Sequence, residues 1–204
     1  MKIKSKYIVY VFILALGMTV ITLHNSAIAD DAGGYGNNVI MIGSGFLFPL
    51  RADFRDYHGS KFDMNIQSFR SIKNDLSLGI RAGYIWPDEG DIGLKYSCLN
   101  FAGLFRYYPS ITNHVAYCTG GFGLNFRKLK ADAADEFEPT EVEFEVSDFG
   151  PSFIFGIGAE IRPMNSIIVN LETNVDYIYD KDTDRGEFGN TGGLNILLSI
   201  GYTF

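Results

Sequence analysis

From Val39 to Phe204 apolar and polar residues alternate with period two rather than 3.6, which predicts strands, not helices. The alternation resolves into eight segments: 39–48, 61–71, 76–86, 96–108, 114–127, 150–162, 166–179 and 193–204. The last is the clearest. Leu194, Ile196, Leu198, Ile200, Tyr202 and Phe204 share one face against Asn195, Ser199, Gly201 and Thr203, with Leu197 breaking the pattern. Strand seven sets Ile167, Val169, Leu171, Val175, Tyr177 and Tyr179 against Asn170, Glu172, Asn174 and Asp176. Most segments reach ten residues or more, the length that crosses a bilayer when tilted and longer than a common globular strand. The connections alternate between short (72–75, 109–113, 163–165) and long (49–60, 87–95, 128–149, 180–192). That asymmetry is expected of a barrel with short periplasmic turns and long external loops. Within the third long connection Glu141 to Val146 alternates again, so strands five and six can run on above the membrane as a hairpin.

Alternation alone leaves two barrels open, a soluble one with its apolar face inward and a membrane one with that face outward. The composition of the faces separates them. The polar face is mostly Gly, Ser, Asn and Thr, which suits a crowded lumen, whereas a solvent-washed wall would carry many Lys and Glu. Beyond the leader, Lys61, Lys73, Lys95, Lys128, Lys130 and Lys181 fall in the predicted loops or at strand ends. The apolar face is bulky, and near strand ends it carries Tyr84, Trp86, Tyr107, Tyr177, Tyr179 and Tyr202, as interfacial aromatic girdles do. The expected fold is an all-β, eight-stranded, antiparallel up-and-down transmembrane barrel.

The first 29 residues stand apart. Lys2, Lys4 and Lys6 precede an uncharged apolar run from Tyr7 to Leu23, and Ala27-Ile28-Ala29 supplies a small-x-small cleavage site. Residues 1–29 are expected to be a cleavable signal peptide and 30–204 the barrel domain. Removing three lysines takes the net charge from −7 to −10, 14 basic residues against 24 acidic. So acidic a chain makes nucleic acid an implausible partner.

The leader, the eight amphipathic strands and the terminal Leu-Ser-Ile-Gly-Tyr-Thr-Phe resemble the small outer-membrane barrel superfamily: the transmembrane domain of OmpA, OmpX, OmpW and the opacity proteins. The resemblance covers the chain after the leader and concerns architecture rather than activity. It implies that Phe204, with Tyr202 and Ile200 at alternate positions, is read by the barrel-assembly machinery. It also implies residence in the outer membrane of a Gram-negative bacterium, among lipid and lipopolysaccharide, as a monomer. No peptidoglycan-binding segment follows the strands, so a tethering role is not implied.

Candidate chemistry is sparse. Arg81, Arg106, Glu160, Arg162, Glu172 and Asp176 fall on the polar face. Charges inside a narrow barrel must pair, so an Arg–carboxylate network plugging the lumen is expected, either as plain structural satisfaction or as the gate of a small pore. Eight acidic residues between Asp132 and Asp148 read as a solvated external loop, or as a divalent-cation bridge to lipopolysaccharide phosphates. Asp180, Asp182 and Asp184 alternate as calcium ligands can. However, Arg185 stands where an EF-hand needs Gly and Thr191 where it needs Glu, so a plain acidic loop is the better reading. His24 lies in the leader, His58 in the first long loop and His114 at the start of strand five, with no Ser or Cys and acid beside them. No enzyme activity, cofactor or resident metal is expected. In the predicted register Cys118 faces roughly residue 104, about 20 Å from Cys98 at ~3.3 Å per residue, and the two point to opposite faces, so both thiols should be free.

The leading expectation is an integral outer-membrane barrel with a structural or surface-interaction role, a side-chain-filled lumen and acidic external loops. An OmpW-like narrow channel for small or hydrophobic molecules is the alternative, and a lipid A-modifying barrel a more distant one. N-terminal sequencing of the exported protein should begin at Asp30; a start at Met1 would mean a retained anchor.

Overall fold

The computed structural model describes residues 38–50, 60–87, 94–109, 116–133, 142–179 and 191–204. The leader, His58, His114 and the Asp180, Asp182, Asp184 run lie outside these residues. Eight antiparallel strands form: β1 (Asn38–Pro49), β2 (Lys61–Lys73), β3 (Leu76–Ile85), β4 (Leu94–Tyr107), β5 (Ala116–Ala133), β6 (Val142–Met164), β7 (Ile167–Ile178) and β8 (Thr191–Thr203). Each pairs with its neighbours in sequence, and β8 returns to β1, closing an up-and-down barrel. At the seam Asn38 and Phe204 exchange both backbone hydrogen bonds, at 3.2 and 3.0 Å. Closure satisfies the ladder groups that an open edge would leave bare.

The short connections, Asn74-Asp75 and Asn165-Ser166 among them, lie at the same end as Asn38 and Phe204. The long loops lie at the other end. There β5 and β6 run on together as far as Ala133↔Val142, well past the last β6–β7 pair, Ser152↔Ile178. Lys128 and Lys130 therefore stand within a strand rather than in the loop the sequence pattern suggested.

The apolar face points outward. Phe122 is 68% exposed and Ile157 66%, while Ile154 and Leu197, one residue off in parity, are fully buried. From Leu194 to Phe204 the outward residues of β8 span ten steps, about 33 Å along the strand. At a tilt near 40° that is about 25 Å of height, the thickness of a barrel's apolar band. Aromatics flank it: Tyr107 and Tyr202 near the short-turn end, and Trp86, Tyr177 and Tyr179 near the long-loop end, all exposed.

The inner face is less polar than the small residues of strands three to eight suggest. Met41, Phe69, Ala102, Leu104, Ile154 and Ile168 form one buried apolar cluster, and Leu47, Ile85, Tyr96 and Cys98 another. Inward glycines make room for these bulky groups. A methyl at Gly79 would strike the Phe69 ring, and one at Gly201 would overlap Met41.

The β4–β5 register differs from the expected one. Cys118 pairs with Tyr107, not residue 104, because the turn is wider: β5 begins at Ala116. Cys98 is opposite Arg127, nine positions away along β4. Both cysteines are free, Cys98 buried in the lumen and Cys118 exposed on the outer wall. In detergent a small maleimide should label one thiol of the native protein and two after denaturation, read by intact mass. A species that takes no label until it is reduced, or two rapid native labels, would contradict this register.

Candidate functional site

The lumen is the region where polar chemistry concentrates. Strand parity turns every second side chain into a closed tube only eight strands wide, just enough for those side chains to fill. Charges held there have little water and must find one another. Among the described residues, the inward face carries Lys61, Arg81, Arg106, Arg127 and Arg162 against Asp63, Asp148, Glu160, Glu172 and Asp176, so its formal charges balance.

At mid-height β4 contributes Arg106 and β7 Glu172, both almost fully buried. Arg106 Nη2 donates to Glu172 Oε2 at 2.8 Å and to Gln67 Oε1 at 3.0 Å. Its guanidinium lies between two rings, 3.8 Å from the Phe69 centroid and 4.3 Å from that of Tyr117. Stacking of this kind suits the planar, weakly hydrated arginine and not a lysine. Glu172 also accepts from Asn174 Nδ2 at 2.9 Å. The Tyr117 hydroxyl lies 2.7 Å from both Glu172 Oε2 and Asn170 Oδ1. Its single proton goes to the carboxylate, the stronger acceptor. Turning the Asn170 amide would then let its orphaned Nδ2 donate to the phenol oxygen.

This centre belongs to a ladder that crosses the barrel. Asn195 donates to Asn174 at 3.1 Å, Asn174 to Glu172, Arg106 to both Glu172 and Gln67, and Gln67 to Asn65 at 2.8 Å. Side chains from β8, β7, β4 and β2 thereby bridge the lumen. Below, towards the short turns, Glu160 accepts from Arg162 at 3.2 Å and from the Tyr108 hydroxyl at 3.3 Å. Above, Arg81 faces Asp176 at 3.7 Å, an ion pair without a close hydrogen bond. Asn100 donates to Asn125 at 2.7 Å, and Arg127 pairs with Asp148.

The six charged positions read from the sequence therefore meet in three pairs: Arg106 with Glu172, Arg162 with Glu160, and Arg81 with Asp176. The pairs are stacked layers, not one cluster. Sequence reasoning missed Arg127–Asp148: Arg127 closes predicted strand five on its polar face, but predicted strand six begins only at residue 150, so Asp148 was given no face. It also missed Lys61 and Asp63, since strand two alternates poorly by composition although its burial alternates cleanly. Ile200, Tyr202 and Phe204 sit exposed along the outer face of β8.

A small cavity of about 30 Å³ lies above the ladder, room for one or two waters. Leu47, Ile85, Tyr96 and Ile178 supply apolar walls, and Asp63, Arg81, Asn100 and Asp176 polar ones. Arg81 Nη1, Asn100 Oδ1 and Asp176 Oδ1 are buried without a protein partner. This mixture of donors and acceptors matches water rather than a cation, as does the balance of charge. Among the described residues no group of His, Cys, Asp and Glu has metal-binding geometry.

No family model and no curated protein matches the chain in sequence. Solved structures do match in fold. Neisserial surface protein A aligns with a TM-score of 0.55 at 11% identity, over 84% of this chain and 100% of its own. The attachment invasion locus protein Ail of Yersinia pestis gives 0.53 at 14%, again over 84% and 100%. A major outer membrane protein of Thermus thermophilus gives 0.54 at 14%, over 82% and 99%. The architecture is that of the small eight-stranded outer-membrane barrels.

Removing one partner of the central pair should be costly. Arg106→Met strands Glu172 in the lumen, and a loss of about 3–5 kcal/mol is expected. The double variant Arg106→Met/Glu172→Leu should recover much of it, because no buried charge is then left alone. Reversible urea unfolding in lipid vesicles checks both; equal losses in the single and double variants would mean that the pair is not coupled.

Proposed function

We propose that this chain is an integral protein of the outer membrane of a Gram-negative cell, with a structural or surface-interaction role and a lumen closed to diffusion. The observation that carries the reading is the sign of the two faces. The outer wall presents Phe122, Ile157, Leu171 and Ile200 to the surroundings, while Arg106 and Glu172 are sealed inside. Only a hydrocarbon solvent makes that arrangement stable. The fold shared with outer-membrane barrels supports the same placement.

Closure of the lumen rests on the ladder through Arg106 and on the apolar cluster of Met41, Phe69 and Leu104 that shares the lumen with it. A channel for hydrophobic molecules would need a continuous apolar lining. The buried charges at mid-height speak against one. What then remains available to a partner is the outer wall and the long-loop end. The wall meets lipid and lipopolysaccharide, and the exposed Ile200, Tyr202, Phe204 strip is the feature that the barrel-assembly machinery would read during insertion. A monomer is sufficient, because closure leaves no strand edge within the membrane to pair with a second copy.

Two measurements test the reading together. Refolded protein should migrate differently boiled and unboiled, and in a planar bilayer it should show no steady conductance. Identical migration would remove the barrel, and stable open steps of porin size would remove the closed lumen.

A further inference from the structure

The outward face of the wall is uncharged through its apolar band, with one exception. Among the described residues, Arg70 is the one charged side chain that this face carries between its two aromatic levels. It lies on β2 in parity with Phe62, Met64 and Ser68, opposite Asn38 of β1 and Leu78 of β3. Asn38 in turn exchanges backbone hydrogen bonds with Phe204, and the next outward row joins Ser68, Ile40 and Tyr202. Arg70 therefore stands at the aromatic edge nearest the short turns. An arginine facing lipid is costly at mid-bilayer and tolerated at the interface, where its guanidinium reaches the headgroups.

A bulge turns a second cation to the same face. Along β2 the odd-numbered residues from Lys61 to Phe69 face the lumen. The register then shifts: Ser71 pairs with Ser77, Lys73 pairs with Leu76, and Ile72 is the extra residue. Opposed residues share a face, so Lys73 joins Leu76 and Leu78 on the outside, where unbroken alternation would have sent it inward. Arg70 and Lys73 thus occupy successive outward positions, about 7 Å apart along the strand. Both are exposed, and among the described residues neither forms an ion pair or a side-chain hydrogen bond. That includes Asp75 in the adjoining turn. The outward positions of the neighbouring strands at this end are Asn38, Ile40, Leu76, Leu78, Phe105 and Tyr107, with no carboxylate among them.

We propose that Arg70 and Lys73 form a binding site for the phosphodiester of an anionic phospholipid in the periplasmic leaflet, at the foot of β2 on the outer wall. The inference rests on the membrane placement above and adds a ligand class and an address. The guanidinium fork matches a phosphate with two parallel N–H groups, and the ammonium beside it supplies a second charge. Two cations with no carboxylate beside them favour a headgroup of net negative charge over a zwitterion, whose own ammonium they repel. The acyl chains would lie against the exposed Leu78 and Ile80.

The test uses the full chain refolded in detergent micelles and native mass spectrometry. The probes are phosphatidylglycerol, phosphatidylcholine, diacylglycerol and inorganic phosphate. Wild-type protein should retain one phosphatidylglycerol in preference to phosphatidylcholine, and no diacylglycerol. Each cation near an anionic surface contributes roughly a fivefold effect, so R70Q and K73Q should each lower retention by about that factor and R70Q/K73Q about 25-fold. K128Q, at the long-loop end, should leave the preference unchanged. Boiled and unboiled gel mobility checks that each variant is folded, and K73Q alone decides if the double variant is not. Undiminished retention by the variants, equal retention of the two phospholipids, a preference lost in K128Q, or complete displacement of lipid by inorganic phosphate would overturn the site. A wild-type chain with no heat-dependent shift would instead overturn the membrane placement beneath it.

Discussion

Arg106 and Glu172 meet at the middle of a tube whose walls leave them nowhere else to go. A carboxylate or guanidinium held there alone would cost several kcal/mol. Each is therefore surrounded by groups that accept or donate to it: Gln67, Asn174 and Tyr117 by hydrogen bonds, Phe69 and Tyr117 by their ring faces. These partners come from β2, β5 and β7. One pair therefore ties together strands that share no backbone ladder, and the shape of the barrel and the neutrality of its interior become one problem.

The glycines belong to the same problem. Tyr117 can lie across the lumen only because Gly158 on β6 has no side chain; a methyl there would overlap the phenol ring. Leu104 is accommodated in the same way by Gly121. Large and small inward residues alternate around the wall so that arginine, tyrosine and phenylalanine fit within a cross-section that could not hold eight of them at one level. Filling of this kind leaves a small cavity above the ladder, beside Arg81 and Asp176.

Most of the architecture was legible in the residues. All strands but β5 and β6 were found within two residues of both their ends, most plainly β3, β7 and β8, where bulky apolar groups alternate with small or polar ones. Strands β5 and β6 were cut short. Beyond Arg127 and before Asp148 the alternation continues but its phase inverts: in the sequence Leu129 and Val146 share the parity of Arg127 and Asp148, so the apolar residues change face and the pattern reads as a break. The β4–β5 register was set three residues off for a related reason: the width of a polar turn is not written in the alternation of the strands beside it.

Period-two patterning and the chemistry of each face are local properties, and by itself the sequence determined from them an eight-stranded barrel with its apolar side out. It also determined that Arg81, Arg106, Arg162, Glu160, Glu172 and Asp176 face inward, since parity along a strand decides that. Which arginine meets which carboxylate was decided only by the tertiary structure. Partners such as Arg106 and Glu172 lie 66 residues apart, and their meeting depends on the stagger between strands accumulated around the closed circle. Register across strands is set by turn widths and closure, long-range quantities that no alternation within one strand encodes.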